Sequence, residues 1–180
     1  MRVNNEVKLD ALVWLEFLEN FNGDCYMQDM HWDTNEALEP FTDSTGNSSL
    51  GCGAYNKGHW IQLRWPSHWE NTNILTAITL SELVPVILAL LIWGHLFINK
   101  NILLRIDNQA LVSIVNKRTS KSKRVMTLIR KLIFITMKSN FQLKALHVSG
   151  SCNEIADVLS RFQQDRFLAL ESLADPAENF

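Results

Sequence analysis

Cysteine is scarce in this chain and badly spaced for pairing. Cys25, Cys52 and Cys152 are odd in number, far apart and in no Cys-x-x-Cys pair. That argues against a disulfide framework and against a cysteine zinc site, and it favours a reducing compartment. Only 7 glycines and 4 prolines are present, which excludes collagen-like and linker-dominated chains. No internal repeat is visible. No apolar run is long enough to span a membrane: the longest, Leu83 to Ile98, has 16 residues and is interrupted by Gly94 and His95. It reads as a buried core helix. A secretory pattern is missing too, because charged Arg2, Glu6, Lys8 and Asp10 crowd the start. The expectation is an intracellular protein, of cytoplasm or nucleus, with no membrane partner.

What remains is an ordinary globular composition, 47% hydrophobic and 20% charged over 180 residues. That length suits one domain with a short appendage and a core that needs no staples. The net charge of −2 conceals an asymmetry. Lys117, Arg118, Lys121, Lys123, Arg124, Arg130 and Lys131 put +7 and no acid between 117 and 131, which leaves −9 on the rest of the chain. Such a run is either a solvated helix face or a patch that grips a polyanion.

Hydrophobic periodicity divides the chain. Val7, Ala11, Trp14, Leu15 and Leu18 form a helical stripe over 7–20, stopped by Asn22-Gly23. Residues 22–36 are polar and aperiodic, so 1–36 reads as a helix and linker before a main domain of 37–170, with a fraying tail at 171–180. Short segments at 41–43, 50–55 and 59–65 suggest an antiparallel meander. A long apolar helix over 81–97 follows, with Ser81 as its expected N-cap and Pro85 near its first turn. A buried strand at 102–107, helices at 109–116 and 124–138, and a strand at 142–147 come next. Ser151-x-x-Glu154 reads as a capping box opening a last helix with an Ile155, Val158, Leu159, Phe162 stripe. The order predicts an α/β fold: a mixed five-stranded sheet with helices packed on it, plus the N-terminal helix.

Four acids fall at informative places on this scheme. Asp43 ends the first strand, Glu82 opens the long helix, Asp107 closes the fourth strand and Asp157 lies in the last helix. Each has a structural use available. Asp43 suits an Asx-turn, Glu82 the helix dipole, Asp107 an N-cap, and Asp157 a solvated helix face.

Taken together, the four acids and His147 resemble the ribonuclease H fold, in which a mobile histidine stands ten residues before the last aspartate. The stretch from Leu146-His147-Val148-Ser149-Gly150 to Asp157-Val158-Leu159-Ser160-Arg161 is similar to the corresponding segment of retroelement ribonuclease H domains. The likeness narrows to the polyproteins of DIRS-type, tyrosine-recombinase retrotransposons. It rests on Trp14 to Gly23, Trp65-Pro66-x-x-Trp69, Glu82-Leu83-x-Pro85, Ala89-Leu90-x-x-Trp93-Gly94-His95, Asp107-Asn108-Gln109-Ala110, Asn116-Lys117-x-Thr119-Ser120-Lys121-Ser122, and Leu159 to Gln163. It covers residues 7 to about 170.

The resemblance implies a metal-dependent endonuclease that hydrolyses the RNA strand of RNA–DNA hybrids. Two magnesium ions, with manganese as a substitute, are the implied cofactors, and such pairs of ions work about 3.5–4 Å apart. Asp43 would bridge both ions, Glu82 and Asp107 would complete one site and Asp157 the other, while His147 would shuttle protons or help the product leave. Ser44, Thr45 and Gln109 are the implied contacts to the hybrid. Lys121, Lys123 and Arg124 fall where some family members carry a substrate-gripping insertion. In such polyproteins a reverse transcriptase domain precedes this one, so it is the implied partner, and helix 7–20 corresponds to the end of a connecting region. The polymerase carboxylates themselves are absent. A rival from another class is a non-catalytic ribonuclease H-like module that packs against a polymerase or binds nucleic acid. A zinc hydrolase is the third reading, weakened because no histidine pair shows ligand spacing.

Overall fold

A computed structural model describes residues 4–21, 23, 39–70 and 72–171. The expected linker, apart from Gly23, and the tail beyond 171 lie outside the described residues, as does Cys25. The elements are α1 (Asn5–Glu19), β1 (Phe41–Ser44), β2 (Gly51–Asn56), β3 (His59–Arg64), α2 (Asn73–Thr76), α3 (Ile78–Trp93), β4 (Asn101–Ile106), α4 (Gln109–Lys117), α5 (Lys123–Lys138), β5 (Gln142–His147), α6 (Glu154–Ser160) and α7 (Gln164–Leu170). The fold is α/β, and the five strands form one mixed sheet in the order β3-β2-β1-β4-β5. The meander β1-β2-β3 is antiparallel, whereas β4 runs parallel to both β1 and β5.

Register follows from burial. Alternate residues of β2 and β3 point to opposite faces. Ala54 and Ile61, paired across the strands, join the large core with α3, α4 and α5, while Tyr55 and Trp60 meet Val158, Leu159 and Phe167 of α6 and α7. In α5 the buried residues Val125, Ile129, Leu132 and Thr136 recur every three or four positions. Lys123, Arg124 and Lys131 lie off that stripe and are exposed, whereas Arg130 is buried. Pro40 does not disturb the central strand: β1 begins at Phe41, and the Pro40 carbonyl accepts a 2.8 Å bond from Arg105 N–H.

Four sequence expectations require correction. Ser81 does not cap α3. The helix begins at Ile78, because the Leu80 and Ser81 amides both bond the Ala77 carbonyl, and the buried Ser81 hydroxyl donates to Ile78 O at 2.9 Å. Pro85 is consequently an interior helix residue, so the Ser81 carbonyl loses its usual donor. The Ser151–Glu154 capping box does not form either. Ser151 bonds Ser149, Glu154 pairs with Arg166 at 2.6 Å, and α6 starts after Asn153 with no side-chain cap. The last stripe is broken, since Phe162 lies beyond α6 at φ 59° and α7 follows as a separate helix.

The fourth correction concerns helix length. The apolar stretch continues through a single turn at Gly94–Leu96, giving 19 residues from Ile78 to Leu96, long and apolar enough to cross a membrane. Its length therefore does not decide the matter. Its burial does: Leu83, Val86 and Leu90 are fully enclosed by the sheet and α5, as in the core helix of a globular domain.

The appended helix α1 is fastened to α5 through Glu6 and Asp10, and its half-buried residues are Glu6, Val13 and Phe17. Arg130 donates to Glu6 Oε2 at 2.8 Å and to Asp10 Oδ1 at 2.7 Å. The stripe of Val7, Trp14, Leu15 and Leu18 faces outward, each residue more than half exposed. Arg130 is consequently a structural residue rather than part of a basic patch.

Candidate metal centre

Strand register brings the first two acids together. Because Phe41 pairs with Arg105 in the parallel β1–β4 ladder, two further residues along each strand set Asp43 beside Asp107. Ile106 pairs with His147 of β5, so the histidine joins the same end of the sheet. This is the carboxyl end of parallel strands, where side chains can converge without backbone crossing over them. Glu82 reaches the site from α3. Ligand oxygens of Asp43, Glu82 and Asp107 all lie within 4.8 Å of one another, a grouping that could hold a metal ion.

The structural uses open to these acids do not account for them. Asp43 is inside a strand and buried, so it makes no turn. Asn108, not Asp107, caps α4, its Oδ1 accepting from Ala110 N–H at 3.0 Å and Leu111 N–H at 3.1 Å. The Asp107 carboxylate is left to the cluster. Glu82, the fifth residue of α3, is only 8% exposed, and its Oε2 accepts no hydrogen bond from any described residue.

An acid in that position should resist ionisation. Burial, and then repulsion from Asp43 and Asp107, pushes Glu82 up to about 8. Burial also raises Asp43 to about 6, opposed by a hydrogen bond from Ser160 and reinforced by Asp107 and Asp157. Cys52, opposite Ser44 on β2, is held firmly as a neutral thiol by burial and by these same carboxylates. Hard oxygen donors, crowded and short of counter-charge around an orphaned buried oxygen, fit a hard divalent cation.

Three features that sequence reasoning missed hold the rim of the site. Gly53 pairs with Asp43, and a Cβ there would come within 2.9 Å of Ser160 N, so only glycine lets α6 lie against β2 at this point. Buried Asn153 donates its amide to Thr42 O at 3.1 Å, fixing the start of α6 to the residue before Asp43. Ser160 O–H donates to Asp43 Oδ2 at 2.5 Å. Only Gly53 carried a signal in the sequence, as an isolated glycine within a strand pattern.

Asp157 stands apart from the three-acid group. Its Oδ1 accepts from Arg161 Nε–H at 2.7 Å, one helical turn on, although its charge still reaches Asp43. His147 is exposed and its Nε2 lies 3.1 Å from the Asp107 carbonyl. Of the expected substrate contacts, Thr45 follows Asp43 by two residues and its Oγ1 accepts from Asn47 N–H at 3.2 Å. The Ser44 hydroxyl is buried with no described partner, and Gln109 is exposed at the start of α4. Lys121, Lys123 and Arg124 are exposed, with Arg124 beside an apolar cleft walled by Trp69, Leu80 and Leu128. A scan against protein-family models finds no match for this chain, and neither does a search of curated proteins.

Proposed function

We propose that this protein is a metal-dependent endonuclease of ribonuclease H-like fold that hydrolyses the RNA strand of RNA–DNA hybrids. The observation that carries the reading is the convergence of Asp43, Glu82 and Asp107 within 4.8 Å at the carboxyl end of β1 and β4. Asp43, Glu82 and Asp107 would hold one magnesium ion, and Asp43 with Asp157 a second. Such ions, when bound, activate water and neutralise charge on a phosphoryl group.

The remaining residues supply what carboxylates do not. Ser160 holds Asp43 by a hydrogen bond to Oδ2. His147, exposed and next to the Asp107 carbonyl, would take or return a proton. Ser44 and Thr45 follow Asp43 and Gln109 follows Asp107 by two residues, and they would meet the 2′-hydroxyls that the wide minor groove of a hybrid presents.

A second reading, a non-catalytic module that packs against a polymerase, has one observation in its favour. The outward apolar stripe of α1, with Trp14 56% exposed, lacks a cover among the described residues. Incubating the purified chain with a labelled RNA–DNA hybrid, first in magnesium and then in EDTA, separates the two. Cleavage of only the RNA strand, and only in magnesium, is the expected result. An intact hybrid under both conditions would leave the module reading.

A further inference from the structure

We propose that Arg161 is a built-in counter-ion that holds the place of a second cation, so that without nucleic acid the site takes a single divalent ion. The inference rests on the metal-site reading above and concerns how that site is loaded. Three carboxylates converge around the orphaned, buried Glu82 Oε2, while the fourth, Asp157, is engaged by the Arg161 guanidinium at 2.7 Å. That positive charge is also felt at Asp43, where it favours the ionised carboxylate. Arg161 thus pairs one of the two acids that would share the second ion and offsets part of the charge on the other.

The surroundings make the arginine, not the aspartate, the movable part. The backbone of α6 is held at both ends: Asn153 bonds Thr42, and Ser160 bonds Asp43. Gly53 lets the helix press directly on β2 between them. The Arg161 side chain, by contrast, is 48% exposed. A guanidinium cannot lose its proton near neutral pH, so it vacates Asp157 only by swinging away. An exposed i,i+4 ion pair is weak enough to be exchanged. A phosphate oxygen is a suitable new partner, because guanidinium groups pair with phosphates in the same forked geometry as with carboxylates. Until that exchange, a second divalent ion would have to enter against a fixed positive charge.

Manganese binding to the full chain, without nucleic acid, tests this by calorimetry and by the resonance signal of free Mn²⁺. The wild type is expected to bind one ion, lost in Asp43→Asn. Arg161→Gln should bind a second ion at least ten-fold more tightly than the wild type does. Arg161→Lys, which keeps the charge, should behave as wild type. Asp157→Asn added to Arg161→Gln should return the count to one, and thermal melting checks that each variant is folded. Two equal ions in the wild type, no tightening in Arg161→Gln, or persistence of the second ion in the double variant would overturn the proposal. If no Asp43-dependent ion binds to any variant, the metal-site reading itself fails and the proposal with it.

Discussion

Glu82 and Arg130 are each 8% exposed, yet the fold surrounds them differently. Arg130 meets two carboxylates, Glu6 and Asp10, and these ion pairs hold its guanidinium charged. The charges that act on Glu82 are those of Asp43 and Asp107, and one of its oxygens has no donor among the described residues. Burying a charge without a partner is expensive, so chains of this size rarely do it without a use for it. The paired charge fastens α1 to the body. The unpaired acid belongs to a cluster that could hold a metal ion.

The largest effect is expected at the unpaired end. Asp43→Asn removes one charge from the cluster and, on the nuclease reading, should cost several kcal/mol of transition-state stabilisation, roughly a thousand-fold or more in hybrid cleavage. Near-UV dichroism should remain that of the folded protein. Cleavage at the wild-type rate would disprove the metal assignment.

Next in size is the pH dependence of folding. Asp43 and Glu82 titrate near 6 and 8 when folded, above the usual carboxylate range. Between about pH 4 and pH 8 the folded chain therefore binds more protons than the unfolded chain, and stability declines as pH rises through that window. Urea unfolding in EDTA should show a loss on the order of a few kcal/mol from pH 5 to pH 8. Millimolar magnesium should restore stability at pH 8, where the acids are ionised, more than at pH 5. Glu82→Gln should flatten the profile. An unaltered profile in that variant would mean that Glu82 does not carry the effect.

At the paired end, Arg130→Met should cost about 1–2 kcal/mol, because Glu6 and Asp10 are partly exposed and water can take over their bonds. The readout is hydrogen exchange across 5–19, which should accelerate while the sheet stays protected. Undiminished protection would show that the apolar contacts of α1, not its ion pairs, hold it.

The smallest change in stability belongs to charges that are not buried at all. Replacing Lys121, Lys123 and Arg124 with Gln should leave folding within about 0.5 kcal/mol. If these side chains touch phosphates, hybrid affinity measured in calcium should lose about one unit of log–log salt slope for each contact removed. An unchanged slope would make the run a solvated face.

Much of the fold was legible because its elements are locally consistent. The expected strands and most of the helices lie within a few residues of their observed bounds, β5 alternates and α5 keeps a helical stripe, and the element order alone predicted a mixed five-stranded sheet. Helix starts were the least legible. Ser81 and Ser151-x-x-Glu154 have the chemistry of caps, but buried Ser81 bonds its own helix, and Glu154 has a nearer partner in Arg166. The orientation of α1 was not legible either. Its apolar stripe is exposed, while Glu6 and Asp10 meet Arg130 of α5 and Val13 and Phe17 are half-buried.

The acids themselves were visible from residue type and position, as was the appended helix. Their convergence was not, because it depends on contacts distant along the chain. Phe41 opposite Arg105 aligns Asp43 with Asp107, Gly53 admits α6, and Asn153 and Ser160 tie that helix to β1. Which acids stay free of protein partners is likewise a tertiary outcome. Asn108 takes the cap that Asp107 was equally suited to make, and Arg161 takes Asp157. Local pattern sets periods and turns because those energies lie within a few residues. Desolvation and charge repulsion depend on everything within a few ångströms, and only the packed chain determines that.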